Sequence, residues 1–239
     1  IALVPQATAS GPLPAFEATL AIRYGPLSGT MTLRLSHCTG GYVYATSLQP
    51  KGFASLFKSG IINETTYLET VGDTVGPLDY ASTDTIANPV RTTHYVFQQD
   101  RVSGVYKSQP VDVPMLPGGH NRISAHIAMM MALQSGVDLP GFAIFDRARW
   151  REFEFEVIPN QVAKTKSGTF DTVEVRYSPK DSDKSSSLYF APSLSYLPVM
   201  IVYREGGKVK SRAQLSEYRI DSSVESPPVC TSENTLADR

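Results

Sequence analysis

The four histidines are the side chains in this sequence whose proton chemistry lies closest to neutral pH. His120 follows Gly118-Gly119 at the expected start of a helix, where an imidazole can serve as a general base or contact a ligand, although a plain loop residue is the simpler interpretation. His126 lies within the helix, and a hydrogen-bonded core histidine explains it best. We therefore take His120, His94 and the neighbouring Arg122 as the weak candidates for a catalytic role.

The common motifs of metal, nucleophile and phosphate chemistry are absent from the sequence. The histidines form no H-E-x-x-H pair, and neither Cys38 nor Cys230 has a second Cys or His at ligand spacing, so we expect no metal site and no cofactor. Residues 25–29 have the wrong spacing for a G-x-S-x-G nucleophile elbow and are typical of a hairpin turn. Residues 206–208 lack the other positions of a phosphate-binding loop.

The overall charge gives no argument for a polyanionic partner. Lys and Arg number 22 and Asp and Glu number 23, for a net charge of -1. This balance removes a whole-protein electrostatic case for nucleic acid or an anionic membrane surface. The net charge does not exclude a local basic patch, although no run of Lys and Arg is present to build one. No stretch approaches the length of apolar sequence that a membrane-spanning helix needs.

Two features of the sequence suggest export: the first nine residues and the two cysteines. Residues 1–9 are a short apolar segment that ends in Ala7-Thr8-Ala9, a small-x-small pattern accepted by signal peptidase, and a flexible N-terminus is the alternative. We predict a disulfide between Cys38 and Cys230, with two unrelated thiols as the alternative. The expected organisation is a signal-peptide remnant or flexible segment at 1–15, a single β-domain at 16–220 and a polar tail at 221–239.

Alternation of apolar and polar residues is the dominant pattern. It runs through residues 16–24 and 31–35 on either side of the turn, and it returns at 173–177. Residues 198–203 and 209–218 are predicted to form a hairpin across Gly206-Gly207. At 152–157, three glutamates alternate with two phenylalanines and a valine, which a solvated strand face explains better than a glycosidase carboxylate pair. The sequence therefore predicts a mainly β fold: an antiparallel curved sheet, barrel or β-spiral of about ten or more strands.

One segment breaks the β pattern. Residues 121–135 are apolar almost all round, with Asn121 as the expected N-cap and Gly136 as the expected stop, which predicts one buried helix at the centre of the curved sheet. A second short helix is expected at 53–58. Met129, Met130 and Leu133, with Phe57, are the candidate lining of an apolar ligand site, and a packed core is the simpler alternative.

Several segments stand in the order seen in a known family. They are residues 16–25, 49–57, 76–80, 122–133 and, most specifically, the run Leu-Tyr-Phe-Ala-Pro-Ser-Leu-Ser-Tyr-Leu-Pro-Val at 188–199. Over about residues 16–220 the chain resembles the bacterial exported domain-of-unknown-function family 3108 (DUF3108). The resemblance implies an antiparallel β-barrel or β-spiral in a Gram-negative periplasm, and it transfers no catalytic residue.

Three functions follow as hypotheses. The first is a non-enzymatic periplasmic protein that supports cell-envelope integrity by binding an envelope protein or an apolar, lipid-like component. The alternative is an enzyme acting on an envelope glycan or lipid through His120, His94 and Arg122. The third is a structural module that docks through an exposed strand edge. None of these uses a nucleic-acid partner or a membrane-spanning segment.

Overall fold

The computed structural model describes residues 11–52, 55, 59–139, 141–180, 182–221 and 229–230. This part of the chain contains fifteen strands in one sheet, one α-helix and one 3-10 helix. They are β1 (Ala15–Tyr24), β2 (Leu27–Cys38), β3 (Gly41–Lys51), β4 (Ile62–Val71), β5 (Thr74–Asp84), β6 (Arg91–Phe97), β7 (Arg101–Tyr106), β8 (Gln109–Pro114), β9 (His120–Asn121), α1 (Ser124–Ser135), β10 (Ala143–Asp146), β11 (Arg149–Thr165), β12 (Gly168–Pro179), β13 (Lys184–Ala191), the 3-10 helix (Pro192–Leu194), β14 (Leu197–Glu205) and β15 (Lys208–Asp221).

The strand order follows the chain in two meanders joined at the middle of the sheet. From one edge to the other it is β8-β7-β6-β5-β4-β3-β2-β1-β15-β14-β13-β12-β11-β10-β9. The first and last strands are neighbours, with Ala15 opposite Asp221. All pairs are antiparallel except β9 with β10. An alternating sequence with frequent turn signals favours short connections between neighbouring strands.

The connection between the two edges requires the sheet to curve. Fifteen flat strands at about 4.8 Å spacing would place β8 and β9 roughly 67 Å apart. The link from Pro114 to His120 spans at most about 21 Å, so the edges must approach each other. The indole N–H of Trp150 in β11 donates to the carbonyl of Pro114 at 2.9 Å. The edges form no backbone ladder, so the predicted curved antiparallel sheet is confirmed and it is open rather than closed.

Alternate side chains of the strands fill the concave side of the sheet. In β1, Phe16, Ala18 and Leu20 are buried, while the residues between them are only partly so. This is the period of two that the sequence predicts for a strand with one buried face. The helix α1 packs at this side, with contacts to β5 and β9. The core therefore consists of one curved sheet face together with part of α1.

The helix differs from its prediction at its start. It begins at Ser124 rather than near Asn121, because Asn121 belongs to β9, which pairs with β10. The side-chain oxygen of Asn121 still accepts hydrogen bonds from the N–H groups of Ile123 and Ser124, at 3.1 and 2.9 Å. At the other end Gly136 has the expected left-handed conformation, with φ of 66°.

Only part of the helix is buried. Met131 and the four residues after it are partly exposed. The predicted burial of the whole helix is therefore not confirmed. The predicted short helix at 53–58 lies outside the described residues apart from Ser55. The buried helix residues are Ser124, Ala125, Ile127, Ala128, Met129 and Met130.

The structure contains strands whose sequences carry little alternation. β8 holds two prolines, Pro110 and Pro114, which is tolerated because β8 is an edge strand with no ladder partner on its outer side. β5 contains Gly76-Pro77 beside a register shift in its pairing with β4. The predicted turn at 25–29 is shorter than expected, since Tyr24 already pairs with Leu27 and β2 begins there.

Candidate functional site

A cleft of about 470 Å³ opens where the β5–β8 part of the sheet approaches the β10–β11 hairpin. Its floor contains Tyr80, Tyr95 and Phe145, which are all buried. We call this cleft the Arg122 cleft. The six charged side chains that line it are those of Asp84, Arg91, Lys107, Arg122, Asp146 and Arg147.

Strand alternation places the cleft residues. Tyr80, Ser82 and Asp84 occupy every second position of β5, and Thr93 and Tyr95 do so in β6, so they share one face of the sheet. Residues two apart in a strand are held about 7 Å from each other by the backbone. The cleft wall formed by β5 and β6 is therefore set by the strands rather than by a loop.

A buried carboxylate holds Arg122 in position. Nη2 of Arg122 lies 2.5 Å from Oε1 of Glu64 in β4. The Tyr80 hydroxyl donates to the same carboxylate oxygen at 2.5 Å, and the Thr46 hydroxyl donates to the other at 3.3 Å. Glu64 is buried, whereas 54% of the Arg122 side chain remains exposed because it faces the cleft. A guanidinium has five N–H donors, and the contact of Nη2 with Glu64 uses only part of this capacity.

Charge and hydrogen bonding fix the protonation states of this group. Burial by itself would raise the pKa of Glu64, but the charge of Arg122 and the hydrogen bonds from Arg122 and Tyr80 outweigh it, so this pKa lies below its ordinary value. The nearby Glu64 carboxylate raises the pKa of Arg122. Burial, followed by the Glu64 charge, raises the pKa of Tyr80. At neutral pH the group is thus a carboxylate, a guanidinium and a neutral phenol.

Two hairpin turns present the outer cations of the cleft. Lys107 in the β7–β8 turn and Arg147 in the β10–β11 turn have φ of 48° and 51°, and each is followed by a second residue with positive φ. Two-residue turns of this kind normally use Asn or Gly, because positive φ is costly for other residues. The N–H of Ala148 donates to the Tyr95 hydroxyl at 3.1 Å, which fixes the β10–β11 turn against β6.

The cleft carries an excess of positive charge. Four cations face two carboxylates among its lining residues, and inclusion of Glu64 behind Arg122 leaves an excess of one. Asp84 is already engaged, since its Oδ1 accepts hydrogen bonds from the N–H groups of Ile86 and Ala87. This arrangement can bind an anion. No histidine or cysteine is among the described residues that line the cleft.

The three catalytic candidates have separate surroundings. Nε2 of His94 lies 2.7 Å from Oδ2 of Asp79, on the face of β6 opposite to its cleft residues. His120 is buried with its ring 4.8 Å from that of Phe142, and burial lowers the pKa of His120 to about 4. Of the three, Arg122 alone lines the cleft.

The described residues of the predicted apolar site belong to the hydrophobic core or pack against it. Met129 and Met130 are fully buried, and Leu133 is a partly buried residue packed against them. Phe57 lies outside the described residues. Met129, Met130 and Leu133 are not among the residues that line the Arg122 cleft. An apolar ligand at this position stays a prediction.

The predicted disulfide is present. Cys38 at the end of β2 is bonded to Cys230, which is 192 positions further along the sequence, with the Cα atoms 5.1 Å apart. Thr39 and Val229 beside it form an isolated parallel bridge. Within the described residues no group of three His, Cys, Asp or Glu side chains could hold a metal ion. No helix in that part of the chain has both the length and the apolarity to cross a membrane.

Sequence reasoning missed most of the charged residues of the site. Glu64, Arg91, Lys107 and Arg147 come from four separate stretches of sequence, and only the curvature of the sheet brings them to Arg122. One signal was available: the alternation of arginines at 147, 149 and 151 marks a local concentration of charge in a single hairpin. No continuous run of Lys and Arg was needed to build a basic patch.

The fold and the site define a class of protein, one long antiparallel sheet that curls into an open, barrel-like shape. A solved structure of this class is similar: the β-barrel-like DUF1849 protein from Brucella abortus, at 10% identity and a TM-score of 0.60, covering 88% of this chain and 99% of that one. The sequence matches the family described as "protein of unknown function (DUF3108)" over residues 19–210. The chain belongs to the DUF3108 family.

Other comparisons show weaker likeness. The MucA/MucB complex structure of Pseudomonas aeruginosa matches at 12% identity and a TM-score of 0.36, covering 88% of this chain and 53% of that one. An uncharacterized conserved protein from Thermus thermophilus matches at 11% identity and a TM-score of 0.30, covering 89% and 82%. No curated protein sequence gave a significant match.

Proposed function

We propose that this chain is an exported, non-enzymatic binding protein of the cell envelope whose Arg122 cleft takes an acidic group of its ligand. The observation that carries the proposal is the half-exposed side chain of Arg122, which lines the cleft and is paired with the buried Glu64. A carboxylate or phosphate that enters the cleft meets free N–H donors in planar geometry, which is how arginine binds such groups.

The rigidity of the site favours binding. Glu64 is paired with Arg122, and hydrogen bonds from Tyr80 and Thr46 hold the Glu64 carboxylate in place before any ligand arrives. A ligand therefore loses less free energy to the ordering of protein side chains than at a flexible surface arginine. The outer cations of the cleft, Lys107 and Arg147, add electrostatic attraction that steers an anion into the cleft.

A binding role is favoured over catalysis by the composition of the cleft. Its described lining offers the hydroxyls of Ser82 and Thr93 without a histidine or cysteine beside them. A serine or threonine nucleophile needs an adjacent base, and the candidate bases His94 and His120 have other surroundings.

Export is supported by the disulfide and by the sequence. Disulfides persist in oxidising compartments such as the bacterial periplasm, and Cys38 and Cys230 form one. The small-x-small pattern within residues 1–9 is consistent with a secretory leader. We place the protein in the periplasm of a Gram-negative bacterium, where it would support envelope integrity through its acidic ligand.

The proposal is tested by titration of the ¹⁵N-labelled protein with inorganic phosphate at constant ionic strength, followed by NMR. We expect saturable shifts of the backbone amides of Ser82, Thr93 and Arg122. The variant Arg122→Gln should lose them. Arg34→Gln is the matched control, because Arg34 is also an exposed arginine paired with a glutamate, but it lies on β2.

A second variant tests the proposal even if Arg122→Gln fails to fold. Lys107→Gln/Arg147→Gln keeps the Glu64–Arg122 pair and changes two exposed turn residues. Its phosphate affinity should fall at least threefold while its spectrum remains that of the folded protein. Shifts scattered over the surface, or shifts at the cleft that persist in both the Arg122 and the double variant, would contradict the proposal.

A further inference from the structure

A second cleft lies beside the Arg122 cleft. It has a volume of about 490 Å³, and its charged residues are Arg149, Arg151, Glu152 and Lys180, with Trp150 among them. Lys180 is paired with Glu152 at 3.5 Å. Arg149 and Arg151 have no ion-pair partner within the described residues. We call it the Arg151 cleft.

One hairpin forms part of both clefts. Phe145, Asp146 and Arg147 line the Arg122 cleft, and the next strand residues, from Arg149, line the Arg151 cleft. The Cα atoms of Arg147 and Arg151 are at most about 14 Å apart, because four residues separate them. A ligand of several units can therefore contact cations in both clefts at once.

The charge of this surface is opposite to that of the whole chain. With Glu64 behind Arg122 included, the two clefts contain seven cations and four carboxylates, an excess of three. The complete chain has a net charge of -1. The two clefts are therefore more basic than the chain as a whole, which favours a partner with repeated negative charges.

The carboxylates among these cations restrict the chemical class of polyanion that can bind. Asp146 lies 3.7 Å from Arg147, and Glu152 follows Arg151. A chain whose oxygens can only accept hydrogen bonds, such as polyphosphate, offers no donor to these carboxylates. A chain that carries both acidic groups and hydroxyls can bind the arginines and also donate hydrogen bonds to the carboxylates.

We infer that the two clefts form one extended site for an acidic polysaccharide. One acidic group binds Arg122, and another, some units along the chain, binds Arg149 and Arg151. The inference rests on the proposed function, since it assigns the ligand of the Arg122 cleft to a chemical class. It adds the second cleft, which a small anion would not need.

The test is calorimetry with oligogalacturonates of two, four and eight units. For the wild-type protein we expect the dissociation constant to fall at least tenfold from the shortest to the longest chain, because the second contact becomes intramolecular. The variant Arg149→Gln/Arg151→Gln should bind the two-unit chain within twofold of wild type and lose the gain with length. The matched control is Lys208→Gln/Lys210→Gln, two exposed cations at the same spacing in β15.

The outcomes separate the inference from the proposed function. If phosphate binds in the Arg122 cleft but no oligogalacturonate does, or if affinity does not rise with length, the inference is overturned and the proposed function stands. Equal or tighter binding of a polyphosphate of matched charge also overturns the inference. If neither phosphate nor the oligosaccharides bind at the Arg122 cleft, both fail.

Discussion

Glu64 and Arg122 show how one ion pair can serve both the stability of the fold and a binding site. The carboxylate is buried and accepts hydrogen bonds from Tyr80 and Thr46, so the interior contains a charge that needs its partner. The partner is reached from solvent through the cleft. A buried carboxylate with fixed donors costs less free energy than an isolated one, and it orients the guanidinium for a ligand.

The first prediction concerns the free energy of unfolding of Glu64→Gln. Removal of the carboxylate leaves Arg122 without its partner, and we expect a loss of about 2 kcal/mol at pH 7, less than for a fully buried pair because Arg122 is half exposed. Urea denaturation measures it. Glu17→Gln, which breaks an exposed pair with Arg34, is the control and should cost less than about 1 kcal/mol.

The same variant has a defined pH dependence. The pKa of Glu64 is lower in the folded protein than its ordinary value of 4.5. The stabilisation from ionised Glu64 is therefore complete above pH 4.5 and is lost as the pH falls through the lower folded pKa. The difference in unfolding free energy between wild type and Glu64→Gln should shrink when the pH is lowered from 7 to 3. A constant difference would contradict this assignment.

At the scale of elements, α1 differs between its two ends. Its first two turns pack into the concave face of the sheet, and its last residues are partly exposed before the Gly136 stop. The neighbouring methionines Met129 and Met131 are in different environments for this reason: the first is fully buried and the second is partly buried at the edge of the core.

The second prediction compares alanine substitutions at these two positions. Met129→Ala removes side-chain atoms from a packed interior and should lower the free energy of unfolding by about 2–4 kcal/mol. Met131→Ala, the same chemical change at a position away from the deepest packing, should cost about 1 kcal/mol. Equal costs in urea denaturation would mean that the helix is not oriented as described.

At the scale of the whole molecule, three features hold the curved sheet together. The β1–β15 pair joins the beginning of the sheet to its end, and the Cys38–Cys230 disulfide attaches the chain after β15 to the end of β2. Trp150 and Pro114 connect the open edges through a side-chain hydrogen bond. The shape thus depends on contacts between residues far apart in the sequence.

The third prediction follows from the long loop that the disulfide closes. In the chain-entropy account a crosslink over 192 positions restricts the unfolded state, so reduction should lower the unfolding free energy by about 3–5 kcal/mol. Urea denaturation with and without dithiothreitol measures this. The Cys38→Ser/Cys230→Ser variant should match the reduced protein and be insensitive to the reductant. An unchanged midpoint on reduction would contradict the prediction.

The sequence predicted what depends on local pattern. Alternation identified β1 and β2, and the apolar run with Gly136 identified α1 to within three residues at its start. It did not predict β8, because prolines usually exclude a strand and are tolerated here only by its edge position. Arg122 was a candidate as a neighbour of His120, but its partner Glu64 is 58 positions away, and their pairing depends on the curvature of the sheet.

The most direct measurement is a crystal structure of the protein with bound tetragalacturonate. We predict one carboxylate of the ligand within about 2.7–2.9 Å of the free N–H groups of Arg122, with the Glu64–Arg122 pair intact and the rest of the chain extending past Arg147 toward Arg151. A carboxylate bound elsewhere on the surface, with the Arg122 cleft empty, would contradict the assignment of this cleft as the binding site.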